Sequence, residues 1–251
     1  MNKTIANIIF TALILLTSPF AVAGEIDAKV MAAMSAEGRP DADVARDPNR
    51  KPLETLKFLG LEDDMRVLEL LPGGGWYTRI LAPVLADNGQ LYIALNVDYV
   101  KSNVASLPGF EEVEILETNE NLHRPEGARL YVMDDFDFGV RDLDMVLTFR
   151  NVHNFGEQGR MLMHRESFEA LRSGGVYGIV DHTRRHMEMD DYENRRRVDP
   201  VLVIKEVQAA GFDFVDYSDL HFRADDELEF EVGRRSVSGN TDRFTFLFRK
   251  P

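Results

Sequence analysis

An apolar run leads into three consecutive glycines at Val67-Leu68-Glu69-Leu70-Leu71-Pro72-Gly73-Gly74-Gly75-Trp76-Tyr77-Thr78. The run is typical of a buried β-strand, and the pattern after the glycines predicts a helix. Glycine adopts positive φ angles and lets a ligand approach the backbone where a Cβ atom would obstruct it. The segment therefore predicts a loop that holds a nucleotide-type ligand. A tight turn between strand and helix is the alternative.

Two common nucleotide-binding motifs do not fit this loop. The dinucleotide pattern G-x-G-x-x-G fails in either register, and no Gly-Lys-Ser/Thr sequence follows the glycines as it does in a P-loop. NAD and ATP are therefore disfavoured as ligands.

Strand and helix patterns alternate along the rest of the chain. Strands are predicted over residues 66–71, 90–96, 113–116, 143–149, 175–180, 212–217 and 243–248, and helices over 77–86, 98–107, 158–171 and 199–210. This alternation predicts βαβ units and a mostly parallel sheet with helices on both faces. The last two strands have no helix pattern between them and predict an antiparallel edge hairpin. The expected fold is α/β, a Rossmann-like doubly wound sheet of seven strands.

Composition excludes several classes of protein. The chain has 251 residues, a formal charge of −14 and no cysteine. An acidic chain is repelled by nucleic acid phosphates and by anionic lipid surfaces, so small-molecule substrates or protein partners are favoured and nucleic acid is not. Without cysteine there is no disulfide, no cysteine-ligated zinc, no iron–sulfur cluster and no cysteine nucleophile.

The first residues have the pattern of a secretory signal peptide. Lys3 is followed by an apolar stretch over residues 8–16 and by the small-x-small sequence Ala21-Val22-Ala23. A membrane anchor is the alternative, but Pro19 and the polar Thr17-Ser18 interrupt the stretch before it reaches the length of a spanning helix. The prediction is a signal peptide over residues 1–23, an N-terminal arm over 24–52 and one domain over 53–251. The exported protein is expected in the periplasm, with no membrane association after cleavage.

The glycine loop and its surroundings resemble the class I S-adenosylmethionine-dependent methyltransferases. That family has an acidic residue at the end of the first strand followed by G-x-G-x-G. Here Glu69 is followed by Leu71, Gly73 and Gly75, so leucine replaces the first glycine. The resemblance extends over about 53–251, because residues 142–148 look like the fourth strand of the family and residues 171–177 like the turn before the fifth.

Shorter segments resemble an exported group of predicted methyltransferases. They are Arg46-Asp47, Arg50-x-Pro52, residues 149–154, Asp181-His182 and residues 248–251. The resemblance implies S-adenosylmethionine as cofactor and methyl transfer to an unidentified small molecule. A non-catalytic ligand-binding protein that keeps the fold is the alternative, suggested by Leu71 and by export to a compartment that does not make the cofactor. A metal-assisted hydrolase is a third, less favoured class.

The resemblance also implies residues that contact the cofactor. Glu69, Leu71, Gly73 and Gly75 are expected beside its methionine part. The acid that binds the ribose in the family falls near Asn96 or Asp98 in this chain. An acid near the adenine falls at Asp134 or Asp135, although two surface acids are an equal alternative. The backbone at Arg150 and Asn151 is expected to face the cofactor.

Catalytic candidates come from two adjacent strand ends. His153 follows the fourth strand, and Asp181 and His182 end the fifth, so an imidazole could remove a proton from the methyl acceptor. The same three side chains could instead hold a metal ion. No close His-x-His or His-x-x-x-His pair supports that alternative, so no metal site is predicted.

Cations are scarce in this acidic chain, and their positions are informative. Arg46 and Arg50 lie just before the domain and are candidates for substrate binding, since they could bind a carboxylate or phosphate of the substrate or of the cofactor. Arg195 to Arg197 are weaker candidates, because a solvated helix start with local acidic partners is the favoured explanation for them.

Overall fold

The computed structural model describes residues 19–104, 107, 109–189 and 191–251. Most of the predicted signal peptide falls on residues 1–18, which lie outside the described residues. Within the described part of the chain, no helix is long and apolar enough to cross a membrane.

A sheet of seven strands forms the centre of the molecule. The strands are β1 (Arg66–Leu70), β2 (Gln90–Ala94), β3 (Glu114–Ile115), β4 (Leu143–Phe149), β5 (Leu171–His182), β6 (Asp213–Ser218) and β7 (Arg243–Arg249). Their order is β3-β2-β1-β4-β5-β7-β6. The first five are mutually parallel, and β7 is antiparallel to both β5 and β6. The predicted fold class, including the antiparallel edge, is confirmed.

Eight α-helices accompany the sheet in the described residues. They are α1 (Pro19–Met34), α2 (Asp41–Val44), α3 (Asp47–Arg50), α4 (Pro52–Leu59), α5 (Thr78–Leu85), α6 (Asp98–Val104), α7 (Glu157–Ala170) and α8 (Pro200–Ala209). Short 3₁₀ turns cover Phe110–Glu112 and Val152–Asn154. The predicted strand 175–180 is longer in the structure, because β5 begins at Leu171 and passes through an irregular stretch before it pairs regularly with β4.

Each face of the sheet has its own apolar core. Leu68, Leu70 and Val146 point into a cluster covered by α7 and α8, while Val67 and Met145 point into a cluster covered by α1, α4, α5 and α6. Alternate residues of one strand thus serve opposite cores, as expected for strands buried on both faces.

The topology brings several strand ends together at one edge of the sheet. The carboxyl ends of β1, β4 and β5 meet there because these strands are parallel. In the antiparallel register His182 pairs with Arg243, so the start of β7 lies at the same edge. The arm covers this edge, since the Trp76 indole donates to the Asp43 carbonyl (3.0 Å) and Arg243 donates to the Asn49 carbonyl (3.1 Å).

Candidate active site

The glycine loop begins with a residue that is not glycine but has the backbone conformation glycine favours. Leu71 has φ 51°, and Gly73 and Gly75 have φ 57° and 79°. A left-handed backbone costs a leucine roughly 1–2 kcal/mol. Hydrogen bonds hold it there: the Leu71 amide donates to the Ala94 carbonyl (2.9 Å), and the Asn151 amide group donates to the Leu71 carbonyl (3.2 Å). Leucine therefore follows the loop path that the first glycine of the motif would take.

The two motif glycines are required for different reasons. A Cβ atom on Gly75 would lie 2.8 Å from Val104 Cγ1 and 2.9 Å from Val100 Cγ2, so helix α6 packs directly against this glycine. A Cβ atom on Gly73 would meet no atom within 4 Å. Gly73 instead borders open space, where a ligand can approach the backbone.

A cavity of about 360 Å³ lies above the glycine loop, and we call it the loop cavity. Its lining includes Glu69, Leu71, Gly73 and Gly74 from the loop region, and Phe149, Arg150 and Asn151 from the end of β4. The arm contributes Asp43, Arg46 and Arg50. The predicted methionine-side residues are thus gathered around one cavity, except Gly75, which packs behind it.

Glu69 is a buried carboxyl group in the wall of the loop cavity. Its side chain is hydrogen-bonded by Thr78 Oγ1 at 2.6 Å, and the residue is only 3% exposed. Burial raises the pKa of Glu69 to about 7, and the Thr78 hydrogen bond and the Arg50 charge partly oppose this shift. Its ionisation is therefore poised near neutral pH.

A second cavity, of about 470 Å³, lies beyond the ends of β2 and β3, and we call it the β2–β3 cavity. Asn96 and Asp98 line it, as does Asn121. Asp134 lies beside it and accepts a hydrogen bond from the Asn121 amide (3.1 Å). Asp135 instead pairs with Arg165 at 2.9 Å on the protein surface and lines neither cavity.

His153 and Asp181 form a hydrogen-bonded pair. The Asp181 carboxylate, 0% exposed, accepts from His153 Nδ1 (2.5 Å), from the His153 backbone amide (3.1 Å) and from the His182 backbone amide (2.7 Å). Because a carboxylate accepts at Nδ1, the neutral imidazole keeps Nε2 unprotonated. His153 lines a third cavity of about 430 Å³, which also includes Tyr131 and Arg196 and which we call the histidine cavity.

His182 has a different environment from His153. Arg150 Nε donates to His182 Nε2 at 2.9 Å, and an arginine nitrogen can only donate. The hydrogen of the ring therefore lies on Nδ1, which donates to Thr241 Oγ1 at 2.9 Å. Burial and the nearby charge of Arg150 hold the pKa of His182 well below its ordinary value. His182 is a neutral group that orients Arg150, and neither of its nitrogens is available as a base.

Arginines surround a fourth, smaller cavity of about 150 Å³, which we call the arginine cavity. Arg46, Arg50 and Arg150 line both this cavity and the loop cavity. Arg243 and Arg196 complete its cationic lining. Arg243 was missed from the sequence. Its only local signal was a charged residue at the first position of an apolar strand.

The run Arg195 to Arg197 is not the solvated helix start of the alternative interpretation, because α8 begins only at Pro200 and Arg197 is 2% exposed. The acidic partners of Arg197 and Arg196 lie 29 and 35 residues away along the chain. Arg197 forms a buried two-pronged pair with Asp226, both distances being 2.9 Å. Arg196 pairs with Glu231 at 2.6 Å and still reaches the cavities. Among the residues that the structure describes, no three histidine or acidic side chains form a group that could hold a metal ion.

Solved structures with similar folds include methyltransferases and a cyclase. A SAM-dependent methyltransferase from Aquifex aeolicus has a TM-score of 0.57 and 17% identity, with 88% of this chain and 97% of that chain covered. The [4+2]-cyclase SpnF has a TM-score of 0.57 and 15% identity over 90% of this chain and 93% of its own. The glycopeptide N-methyltransferase MtfA complexed with sinefungin has a TM-score of 0.53 and 14% identity, covering 82% and 94%.

Sequence comparison finds less than structural comparison. No family model matches the chain, and no curated protein matches its sequence. At these levels of identity the solved structures establish the fold, which is the one expected from the glycine loop. They do not by themselves establish the reaction, since a cyclase has the same fold.

Proposed function

We propose that this protein is an S-adenosylmethionine-dependent methyltransferase that acts on a small molecule. The observation that carries the proposal is the loop cavity. At the carboxyl edge of a methyltransferase-type sheet, it combines a buried carboxyl group, Glu69, with a glycine, Gly73, whose missing side chain leaves open space. Ligands of open α/β sheets bind at this edge.

The residues present fit the cofactor. Glu69 has hydrogen-bonding capacity beyond its bond with Thr78 and can accept from an ammonium group such as that of a methionine moiety. Asn96 offers an amide to a ribose diol in the β2–β3 cavity, and Asp134 lies behind Asn121 on the same side. When bound, S-adenosylmethionine supplies an electrophilic methyl group on its sulfonium sulfur.

The contribution of the protein is to position the acceptor and to take its proton. His153 and Asp181 form a catalytic dyad in which His153 Nε2 is the unprotonated ring nitrogen. Asp181 stabilises the imidazolium that forms when Nε2 accepts a proton. The histidine cavity shares Arg196 with the arginine cavity, which in turn shares three arginines with the loop cavity. The dyad therefore lies along the same edge of the sheet as the glycine loop.

Calorimetric titration with S-adenosylmethionine and with S-adenosylhomocysteine tests this proposal. Gly73→Asp should abolish binding, because its side chain would enter the loop cavity. Gly139→Asp is the matched control, since Gly139 also has a left-handed backbone (φ 69°) with no atom near its Cβ position and lines none of the four cavities. Absence of heat and of any thermal shift with both ligands at millimolar concentration would overturn the proposal.

A ligand-binding protein without methyl transfer is the second candidate, and Leu71 favours it. Leu71 lines the loop cavity at the position where the motif has glycine. If Leu71→Gly gained affinity for S-adenosylhomocysteine of about tenfold or more, leucine would be an obstacle and the second candidate would be preferred. An unchanged affinity would favour the enzyme.

We also propose export to the periplasm with cleavage after residue 23, on the basis of the N-terminal sequence alone. N-terminal sequencing of protein recovered from a periplasmic extract is expected to begin at Gly24. Recovery of the uncleaved chain in the cytosolic fraction would contradict it.

A further inference from the structure

Four arginines converge at the edge of the sheet in a protein whose overall charge is −14. Arg46, Arg50, Arg150 and Arg243 all line the arginine cavity, although they come from the arm, the end of β4 and the start of β7. Arg50 and Arg243 are each only 8% exposed. Positive charge is thus concentrated and partly desolvated at one place.

In the described part of the chain, these four guanidinium groups have no carboxylate partner. Within the described ranges, no Asp or Glu oxygen lies within 4.0 Å of any of them, whereas Arg196 at the rim of the cavity pairs with Glu231. Asp43, the arm acid in the adjoining loop cavity, is paired with Arg79 at 3.2 Å. Buried arginines normally acquire such partners, because an isolated buried charge is strongly destabilising.

The neighbours of these arginines orient them without neutralising their charge. His182 accepts from Arg150 Nε, and the Asn49 carbonyl accepts from Arg243. Arg50 lies over the Trp76 ring, 4.3 Å from its centroid. Arg243 Nε is buried and has no hydrogen-bond partner among the residues that the structure describes. The donors are therefore held in place with bonding capacity unused.

Mutual repulsion is visible in the ionisation of the cluster. Burial lowers the pKa of Arg50 to about 9, and the charges of Arg150 and Arg46 add to the shift. Burial likewise lowers the pKa of Arg243 to about 10, with Arg150 as the main charged contributor. The pKa of Arg150 is also lowered, by burial and by Arg46, and the charge of Asp181 only partly opposes this shift. The charge-assisted hydrogen bonds of an entering anion would offset both the desolvation and the repulsion.

We propose that the arginine cavity binds an oxyanion, a phosphate or a carboxylate, carried by the methyl acceptor. Its role as part of the acceptor rests on the proposed function. A cavity of about 150 Å³ suits one such group, and no residue of the glycine loop lines it. Guanidinium groups bind phosphate and carboxylate through paired hydrogen bonds, and His182 acts as a positioning residue for Arg150.

The cofactor's own carboxylate is the other source of the same chemistry. It would lie in the loop cavity beside Glu69, where Arg46, Arg50 and Arg150 are also accessible. Arg243 lines the arginine cavity and is absent from the lining of the loop cavity. Arg243→Gln therefore separates the two sources.

The test uses inorganic phosphate and S-adenosylhomocysteine as separate probes of the full chain, measured by calorimetry and by thermal shift. Arg249→Gln is the matched control, because Arg249 is exposed at the opposite end of the same strand. We expect phosphate to bind the unmodified protein and Arg249→Gln with the same affinity. Arg243→Gln should weaken the affinity for phosphate about tenfold or more. The affinity for S-adenosylhomocysteine should stay within about threefold.

The outcomes separate this proposal from the proposed function. Equal phosphate affinity in both variants, or no phosphate binding at all, would overturn the oxyanion site. If Arg243→Gln weakened the binding of phosphate and of S-adenosylhomocysteine equally, the site would belong to the cofactor. That result would overturn the claim that the oxyanion is carried by the methyl acceptor. Phosphate binding that depends on Arg243, with no cofactor binding by the unmodified protein, would keep the site and reject methyl transfer. If Arg243→Gln fails to fold, Gly239→Asp provides the comparison, because Gly239 lines the arginine cavity but not the loop cavity, and a Cβ atom there would meet no atom within 4 Å. Its carboxylate should weaken phosphate binding about tenfold or more.

Discussion

Replacement of Glu69 by glutamine should make the protein more stable at pH 8 and weaken its ligand binding. The carboxyl group of Glu69 is almost fully buried, and burial raises its pKa to about 7 from 4.5. Glutamine has nearly the same shape, and its carbonyl can still accept the hydrogen bond from Thr78. The substitution therefore removes an ionisable group and little else.

The sign of the effect follows from proton linkage. Well below pH 4.5 Glu69 is protonated in both the folded and the unfolded states, so it contributes no pH dependence. Between pH 4.5 and 7 the unfolded chain releases the proton while the folded protein keeps it, so stability falls as pH rises. A pKa of about 7 in the folded protein corresponds to a loss of about 1 kcal/mol at pH 5 and about 3 kcal/mol at pH 8.

Denaturant unfolding of the unmodified protein and of Glu69→Gln at pH 5 and pH 8 measures this loss. The glutamine variant should be more stable by about 3 kcal/mol at pH 8, or roughly 6–10 °C in Tm for a chain of this size, and by about 1 kcal/mol at pH 5. Glu54→Gln on an exposed position of α4 controls for the loss of one negative charge. A variant that is less stable than the unmodified protein at pH 8, or a difference that does not grow with pH, would refute the reasoning.

Three further predictions test other parts of the site. Gly75→Ala should cost about 2 kcal/mol of unfolding free energy more than Gly73→Ala, because only the first brings a Cβ atom into Val100 on α6, and chemical denaturation measures the difference. Should the two be equally stable, α6 does not pack as described. His153→Gln should lower kcat by roughly 10²–10⁴-fold once an acceptor is known, with unchanged S-adenosylhomocysteine affinity in calorimetry. Full activity in this variant would exclude His153 as the base. Asn151→Ala removes the hydrogen bonds to the Leu70 and Leu71 carbonyls and should weaken S-adenosylhomocysteine binding about tenfold, whereas unaltered affinity would show that the loop needs no such support.

Local sequence patterns were sufficient for the sheet. Apolar runs and glycine punctuation place each of the seven strands, and the missing helix pattern between the last two correctly indicates the antiparallel edge. The start of β5 was wrong because Gly174 and Gly175 look like a turn, whereas the structure accommodates them within the strand as an irregularity against β4.

The sequence predicts those site residues that belong to one continuous motif, but not those that strand pairing brings together. Glu69 and Gly73 follow directly from the loop motif, and both line the loop cavity. Arg243 could not be found in this way, because its place beside His182 depends on the register of β5 with β7. Two histidines at adjacent strand ends look equivalent in sequence. They differ in the structure because Arg150 and Thr241 occupy both ring nitrogens of His182.

Two neighbouring acidic residues could not be told apart from the sequence either. Asp134 and Asp135 are neighbours in sequence, yet the first bonds Asn121 at the β2–β3 cavity and the second pairs with Arg165 on the surface. The two side chains point in different directions from the backbone. Where the sequence pattern defines no strand, it does not show which of two neighbouring side chains faces the cavity.

The central claim is that the glycine loop and the β2–β3 cavity together hold S-adenosylmethionine. A crystal structure of the protein grown with S-adenosylhomocysteine tests it most directly. The account predicts density that extends from Glu69 and Gly73 in the loop cavity to Asn96 in the β2–β3 cavity, with the arginine cavity left free for the acceptor. Density at another site, or none at saturating ligand, would contradict it.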